Sequence, residues 1–165
     1  MGLNMYLNRK TYISDYGFGD AASPRSQLQI SGPGTEHIKA SRVPEITEEM
    51  GYWRKSNQIH AWFVENVQDG EDDCQPHRVS REQLQELMGI VDSILVAYGE
   101  GDLAAGTEKA EELLPTIGGF FFGSTDYNEW YFNDLKHTKA ILEMCLADDE
   151  TDTEQRGDFY YQSSW

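Results

Sequence analysis

The sequence predicts an α+β fold: a small, mainly antiparallel sheet that includes both termini, packed against three main helices. Three observations carry this expectation. MYLNRKTYI (5–13) is rich in β-formers and puts Met5, Leu7 and Arg9 on one face and Tyr6, Asn8 and Lys10 on the other. SREQLQELMGIVDSILVAY repeats its apolar residues with the period of a helix. The chain closes on DFYYQSSW, too aromatic for a solvated tail, and so reads as a strand pairing back beside residues 3 to 12. At 165 residues the chain is of one-domain length, 1–165, and buries a core without disulfide or metal staples.

The elements between these anchors follow in order. Residues 14–34 hold four glycines and two prolines and read as loop. EHIKASRV (36–43) reads as a second strand. Thr47 is placed as an N-cap with Glu48 and Glu49 in the first turn, which predicts a helix from there to about residue 67. QDGEDDCQPH becomes an acidic loop. Ser80 and Gln83 form a capping box for the clearest helix, with Leu84, Leu87, Met88, Val91, Leu95 and Tyr98 as its stripe and Gly99 as its end. A short helix through GTEKAEELL stops at Pro115. GFFF reads as buried and extended. A last helix, capped by Ser124 or Asp126, runs to about Ala147 with Tyr127, Tyr131, Leu135, Thr138, Leu142 and Cys145 on one stripe. Residues 147–157 are expected to be a mobile acidic segment.

GFFFGSTDYNEWYFNDL (119–135) carries seven aromatic rings in seventeen residues. Core packing is its first expectation, with Trp130 or Phe132, off the main stripe, as an exposed anchor of the kind that dominates interfaces. Its Gly-Ser-Thr turn offers backbone N–H groups, but Asp126 and Glu129 place negative charge there and no Walker lysine follows, so capping explains it better than phosphate binding.

Charge is the most informative property. The chain has 29 acids and 13 bases, a net charge of −16. Residues 1–64 hold six acids and seven bases; residues 65–165 hold 23 acids and six bases, net −17. Such a field repels DNA, RNA and anionic lipid surfaces, and attracts a basic protein surface, including one that normally holds nucleic acid. The alternative is that the charge serves solubility. No run is long enough to span a membrane, and the first residues carry neither a signal-peptide pattern nor a myristoylation motif. With no export signal, Cys74 and Cys145 read as reduced thiols and the expected location is the cytoplasm.

Catalytic and metal motifs are weak. Cys74 and His77 have half of a zinc spacing, with Asp69, Asp72, Asp73 and His60 close in sequence, but nothing completes the set. DGEDD lacks the order of a calcium loop. Cys145 sits on an apolar stripe, and the acidic half gives no setting that would activate a thiol. No catalytic residue, metal site or cofactor is therefore expected. Within YWRKSNQIH, Trp53, Asn57 and His60 share a face if the segment is helical. That face either holds a small polar ligand or is a polar layer fixing helix to sheet.

With these residues in view, the chain resembles a family of uncharacterised small proteins encoded by phages and prophages. The resemblance is carried by GLNMYL, YWRKSNQIHAWFV with VQDGEDDC, LLPTIGGFFFGSTDYNEWYFNDL and the terminal FYYQSSW, and skips 14–34 and 147–157. Asn4 departs from the Asp that family members carry. The resemblance implies a phage context, within a host cytoplasm, and no activity. The function expected from charge and context together is that of an accessory protein that binds and inhibits a basic host protein, for example a nucleic-acid-binding defence complex. Asp69, Glu71, Asp72, Asp73, Glu82, Glu86, Asp148, Asp149 and Glu150 would stand in for phosphates. The alternative expectation is a ligand-binding protein or enzyme using Trp53, Asn57 and His60. A virion or assembly component acting by self-association is the third; sequence leaves the oligomeric state open.

Overall fold

The computed structural model describes residues 2–17, 22–99, 101–147 and 157–165. Its centre is a four-stranded antiparallel sheet in the order β2-β1-β4-β3. β1 spans Asn4–Tyr12, β2 Glu45–Arg54, β3 His77–Val79 and β4 Asp158–Ser164. The two termini therefore supply the two central strands. Met5 and Leu7 of β1 lie opposite Ser163 and Tyr161 of β4, and opposite Trp53 and Gly51 of β2. All six are buried, so one face of the sheet is continuous with the core. Tyr6 and Tyr52 pair on the other face, ring centroids 5.3 Å apart. This is the period-two alternation of a half-covered sheet.

Four helices of more than two turns accompany the sheet: α2 (Asn57–Val67), α3 (Arg81–Tyr98), α4 (Leu103–Leu113) and α5 (Glu129–Ala147); α1 is a single turn, Pro24–Gln27. α3 begins with the expected capping box, Ser80 Oγ accepting from Gln83 N while the Gln83 side chain accepts from Ser80 N. It buries Leu84, Leu87, Val91 and Ile94 against α4 and α5. α5 buries Tyr131, Leu135, Thr138, Leu142 and Cys145 along the expected stripe, with Phe132 and Ile141 beside it. Its contact with β2 is close because residue 51 is glycine: a Cβ there would lie 2.7 Å from Ile141 Cγ2.

Four expectations are corrected. Residues 36–43 form turns and a 3₁₀ turn at Ala40–Arg42, not a strand; the sheet edge beside β1 is taken by β2. The segment from Thr47 is not the start of a helix: 45–54 is strand β2, with Thr47 opposite Lys10. Lys55, at φ 62°, breaks the strand, and α2 starts only at Asn57. Phe120–Phe122 is a turn, not a buried strand, and Phe120 is 94% exposed. α5 starts after Asn128, whose Oδ1 accepts from Trp130 N and Tyr131 N, rather than at Ser124 or Asp126. Those two residues form their own turn, Asp126 N donating to Ser124 Oγ. Of the acidic segment 147–157, residues 148–156 lie outside the described residues.

The close approach at Gly51 makes a prediction. Gly51→Ala forces α5 off the sheet and should cost about 1–3 kcal/mol by overpacking, read as a lower denaturation midpoint with unchanged slope. Adding Ile141→Val should return part of that loss. A single mutant as stable as the parent would mean that α5 and β2 are not held this tightly.

Candidate functional site

Trp53, Asn57 and His60 do not share one helix face. Trp53 lies on β2, Asn57 opens α2 and His60 lies one turn further along. All three are buried, and each is hydrogen-bonded within the protein. Trp53 Nε1 donates to Thr138 Oγ1 of α5 (2.9 Å), and Thr138 in turn donates to Asp134 O. Asn57 Nδ2 donates to Phe122 O (3.2 Å) and Ser124 O (2.8 Å), while its Oδ1 accepts from Ile117 N (3.0 Å). One side chain thus pins the loop 117–124 to α2, with all its hydrogen-bonding groups in use.

His60, 1% exposed, is bonded on both nitrogens. Nε2 lies 2.9 Å from Asp72 Oδ2, and Nδ1 lies 2.7 Å from the Tyr161 hydroxyl. A carboxylate only accepts, so Nε2 carries the proton towards Asp72, and the Tyr161 hydroxyl partners Nδ1. Burial, followed by the charges of Asp72 and Cys74, pushes the Tyr161 phenol well above its ordinary range, which keeps it a donor. Phe122 stands edge-on to the imidazole (centroids 5.1 Å) and Phe63 stacks on Tyr161 (4.0 Å). These residues leave no polar atom for a ligand; the polar layer between helix and sheet is what the segment builds.

The acidic residues divide into two kinds. Asp72 is structural: its second oxygen accepts from Ser163 Oγ (3.2 Å). Asp73 accepts from Gln75 N and sits 2.9 Å from His77 Nε2, the two interactions that hold its carboxyl below the usual range. Asp69 and Glu71 are exposed in the same loop, and Glu82 and Glu86 are exposed on the first turns of α3. A hydrogen bond from Gln83 Nε2 to Asn66 O ties that end of α3 to the end of α2, where the acidic loop begins. Asp148, Asp149 and Glu150 lie outside the described residues. Cys74 and His77 do not converge: Cys74 Sγ meets Ser163 Oγ, and His77 meets Asp73. Among the described residues no group of three or more His, Cys, Asp and Glu side chains is placed to hold a metal, and no helix is long and apolar enough to cross a membrane.

Sequence reasoning missed how the aromatic and acidic loops meet. Asp72 reaches His60 from one side; Phe122 packs on His60 from the other and also meets Trp165 (6.1 Å). Trp165 follows the Ser163 that bonds Asp72, and it is 49% exposed. Phe121 O accepts from Leu3 N, which seats the turn on the sheet, and Phe120 projects from that turn in edge contact with Phe121 (4.8 Å). The His60 layer thus links the turn that bears the exposed Phe120 to the loop that bears the exposed Asp69 and Glu71. Of the two off-stripe anchors expected, Phe132 is buried and Trp130 is 78% exposed.

Comparison of this chain with protein-family models, with curated proteins and with solved structures returns no match.

Two predictions follow from the buried polar groups. Asn57→Ala leaves Ile117 N and two loop carbonyls without their partner and should cost about 1–3 kcal/mol, with faster proteolysis at 117–124. An unchanged midpoint would show that the loop is held otherwise. The second concerns Asp134. Burial raises its carboxyl above the ordinary value, against the opposing effect of a hydrogen bond from Ser56 Oγ (2.7 Å), the nearby Gln58 amide and His137. A raised carboxyl favours the folded state when protonated, so its contribution is present below the unfolded value of about 3.9 and lost as pH rises through the higher folded value. Asp134→Asn, which keeps an acceptor for Ser56, should therefore gain stability over the parent at neutral pH and lose that gain in acid. Parallel stability–pH curves would refute this.

Proposed function

We propose that this chain acts by binding rather than by catalysis, docking on a basic protein through the surface where the aromatic turn and the acidic loop meet. The observation that supports it most is the exposure of Phe120, 94% accessible on a turn seated by Leu3 and Asn57 beside a strongly acidic half of the chain. Large aromatic rings held rigidly in water are unusual in a monomer and typical of interface anchors. Acids at the rim select partners and speed encounter, whereas the apolar anchors supply most of the affinity. Asp69, Glu71, Glu82 and Glu86 are exposed, and none is ion-paired within the described residues, so their charge faces outward. In the phage context that the sequence motifs imply, the partner is a host protein in the cytoplasm, including one whose basic surface ordinarily holds nucleic acid. The exposed carboxylates then take the place of phosphates.

Capture from host lysate with tagged protein, at low and at moderate salt, tests this reading. A stoichiometric basic partner that weakens as salt rises is expected. Phe120→Ser should abolish capture while leaving the thermal midpoint unchanged, because the ring packs on little else. Capture that ignores salt and Phe120, or no basic partner at either salt, would overturn the reading.

A further inference from the structure

A second feature adjoins the aromatic turn of the docking surface, on the side of Gly123 and Ser124. A cleft of about 350 Å³ opens between the β2–α2 turn, the loop 123–128 and the start of α5, lined by Arg54, Lys55, Gln58, Trp130, Tyr131 and Asp134 among others. That volume is at the lower end of what small-molecule sites enclose, about 300–1,000 Å³. Gln58 is 2% exposed, and its Nε2 is a buried donor with no hydrogen-bond partner. It approaches the Asp134 carboxylate without meeting hydrogen-bond geometry. Buried amide donors almost always find an acceptor, so this one is unusual. Trp130 offers an exposed indole, although large aromatics on a helix ordinarily turn inward.

The lip of the cleft is built under constraint. Lys55 holds φ 62°, a left-handed conformation that side-chain-bearing residues adopt rarely and that collects at binding sites. Gly123, at φ 92°, lies against it so closely that a Cβ would stand 3.0 Å from Lys55 Cβ and 3.2 Å from its carbonyl oxygen. Lys55 N donates to Leu3 O, and Lys55 O accepts from Asn57 N. This geometry sets two cationic side chains, Arg54 and Lys55, at the mouth of a cleft in a protein of net charge −16.

We propose that this cleft binds a mononucleotide, the base stacked on Trp130 with its hydrogen-bonding edge against Gln58 and Asp134, and the phosphate held by Arg54 and Lys55. Every nucleobase presents an acceptor beside an N–H donor on its pairing edge. Gln58 Nε2–H meets the acceptor and the Asp134 carboxylate meets the donor, which gives the unpartnered amide its bond. Stacking on an indole tolerates any base, so the site discriminates bases weakly. Arg54 supplies a fork and Lys55 a point charge for the phosphate oxygens. Asp134, the less exposed of the two acids lining the cleft, keeps the phosphate away from the Gln58 end. The inference does not depend on the docking surface.

The test uses the full chain in calorimetry and thermal-shift titrations with GMP, AMP and UMP, the matching nucleosides and inorganic phosphate. A mononucleotide should raise the melting midpoint and bind more tightly than its nucleoside, and inorganic phosphate alone should bind far more weakly. Trp130→Ala and Arg54→Ala, both at exposed side chains, should keep the ligand-free midpoint and weaken the nucleotide at least about tenfold, the scale of one stacked base. The proposal is overturned if no mononucleotide shifts the midpoint at millimolar concentration. It also fails if phosphate binds as well as the nucleotide, which removes the base subsite, or if both variants bind like the parent, which places the ligand elsewhere.

Discussion

A buried imidazole is costly unless both ring nitrogens find partners, and His60 finds them on two separate elements. Asp72 comes from the loop after α2, and Tyr161 comes from the C-terminal strand. Through this one side chain the first long helix, the acidic loop and β4 are fixed to each other. Phe122, packed edge-on, adds the aromatic turn to the same point. Removing any partner would leave a polar atom stranded in a place that water does not reach. The two loops that carry the exposed aromatics and acids can therefore lack regular secondary structure and still hold one arrangement. Their rigidity is borrowed from the polar layer beneath them.

Much of the fold was legible because some segments admit only one period. β4 alternates over its seven residues, β1 alternates from Asn4 to Leu7, and α3 shows both a capping box and a full apolar stripe. Residues 45–67 were not legible in that way. Tyr52, Ile59, Trp62 and Phe63 suit a helical spacing, and nothing local marks Lys55 as a left-handed break. The strand exists because β1 has an edge to fill and because Gly51 lets α5 approach, both long-range facts. Moving Trp53 onto a strand turns an apparent ligand-binding face into an interior polar layer. Composition also misleads at Phe120: three consecutive phenylalanines suggest burial, but a turn points one of them outward while its neighbours pack.

The candidate surface was half legible. Acid counts identified the loop at 69–73 and the first turns of α3, but they could not separate carboxylates that build the fold from those that face water. Asp72 belongs to the first group and Asp69 and Glu71 to the second, while Asp73 is exposed and bonds within its own loop. The distinction matters for any reading by charge. Neutralising Asp72 would break the His60 layer and report on folding, whereas neutralising Asp69 or Glu71 reports on encounter with a partner.

The same net charge acts with opposite sign on the two surfaces. For a basic partner the field of the acidic half is attractive, so salt weakens docking. For a nucleotide the net field of the chain is repulsive, and Arg54 and Lys55 lie in residues 1–64, where bases slightly outnumber acids. Salt screens that long-range repulsion as well as the local attraction, so nucleotide binding should fall less steeply with salt than docking does. A cleft meant merely to be solvated would have no need of two cations at its mouth. In a chain this acidic, that placement and the buried, unpartnered Gln58 amide behind it are two independent features that call for the same ligand: planar, anionic, and bearing an acceptor at its inner edge.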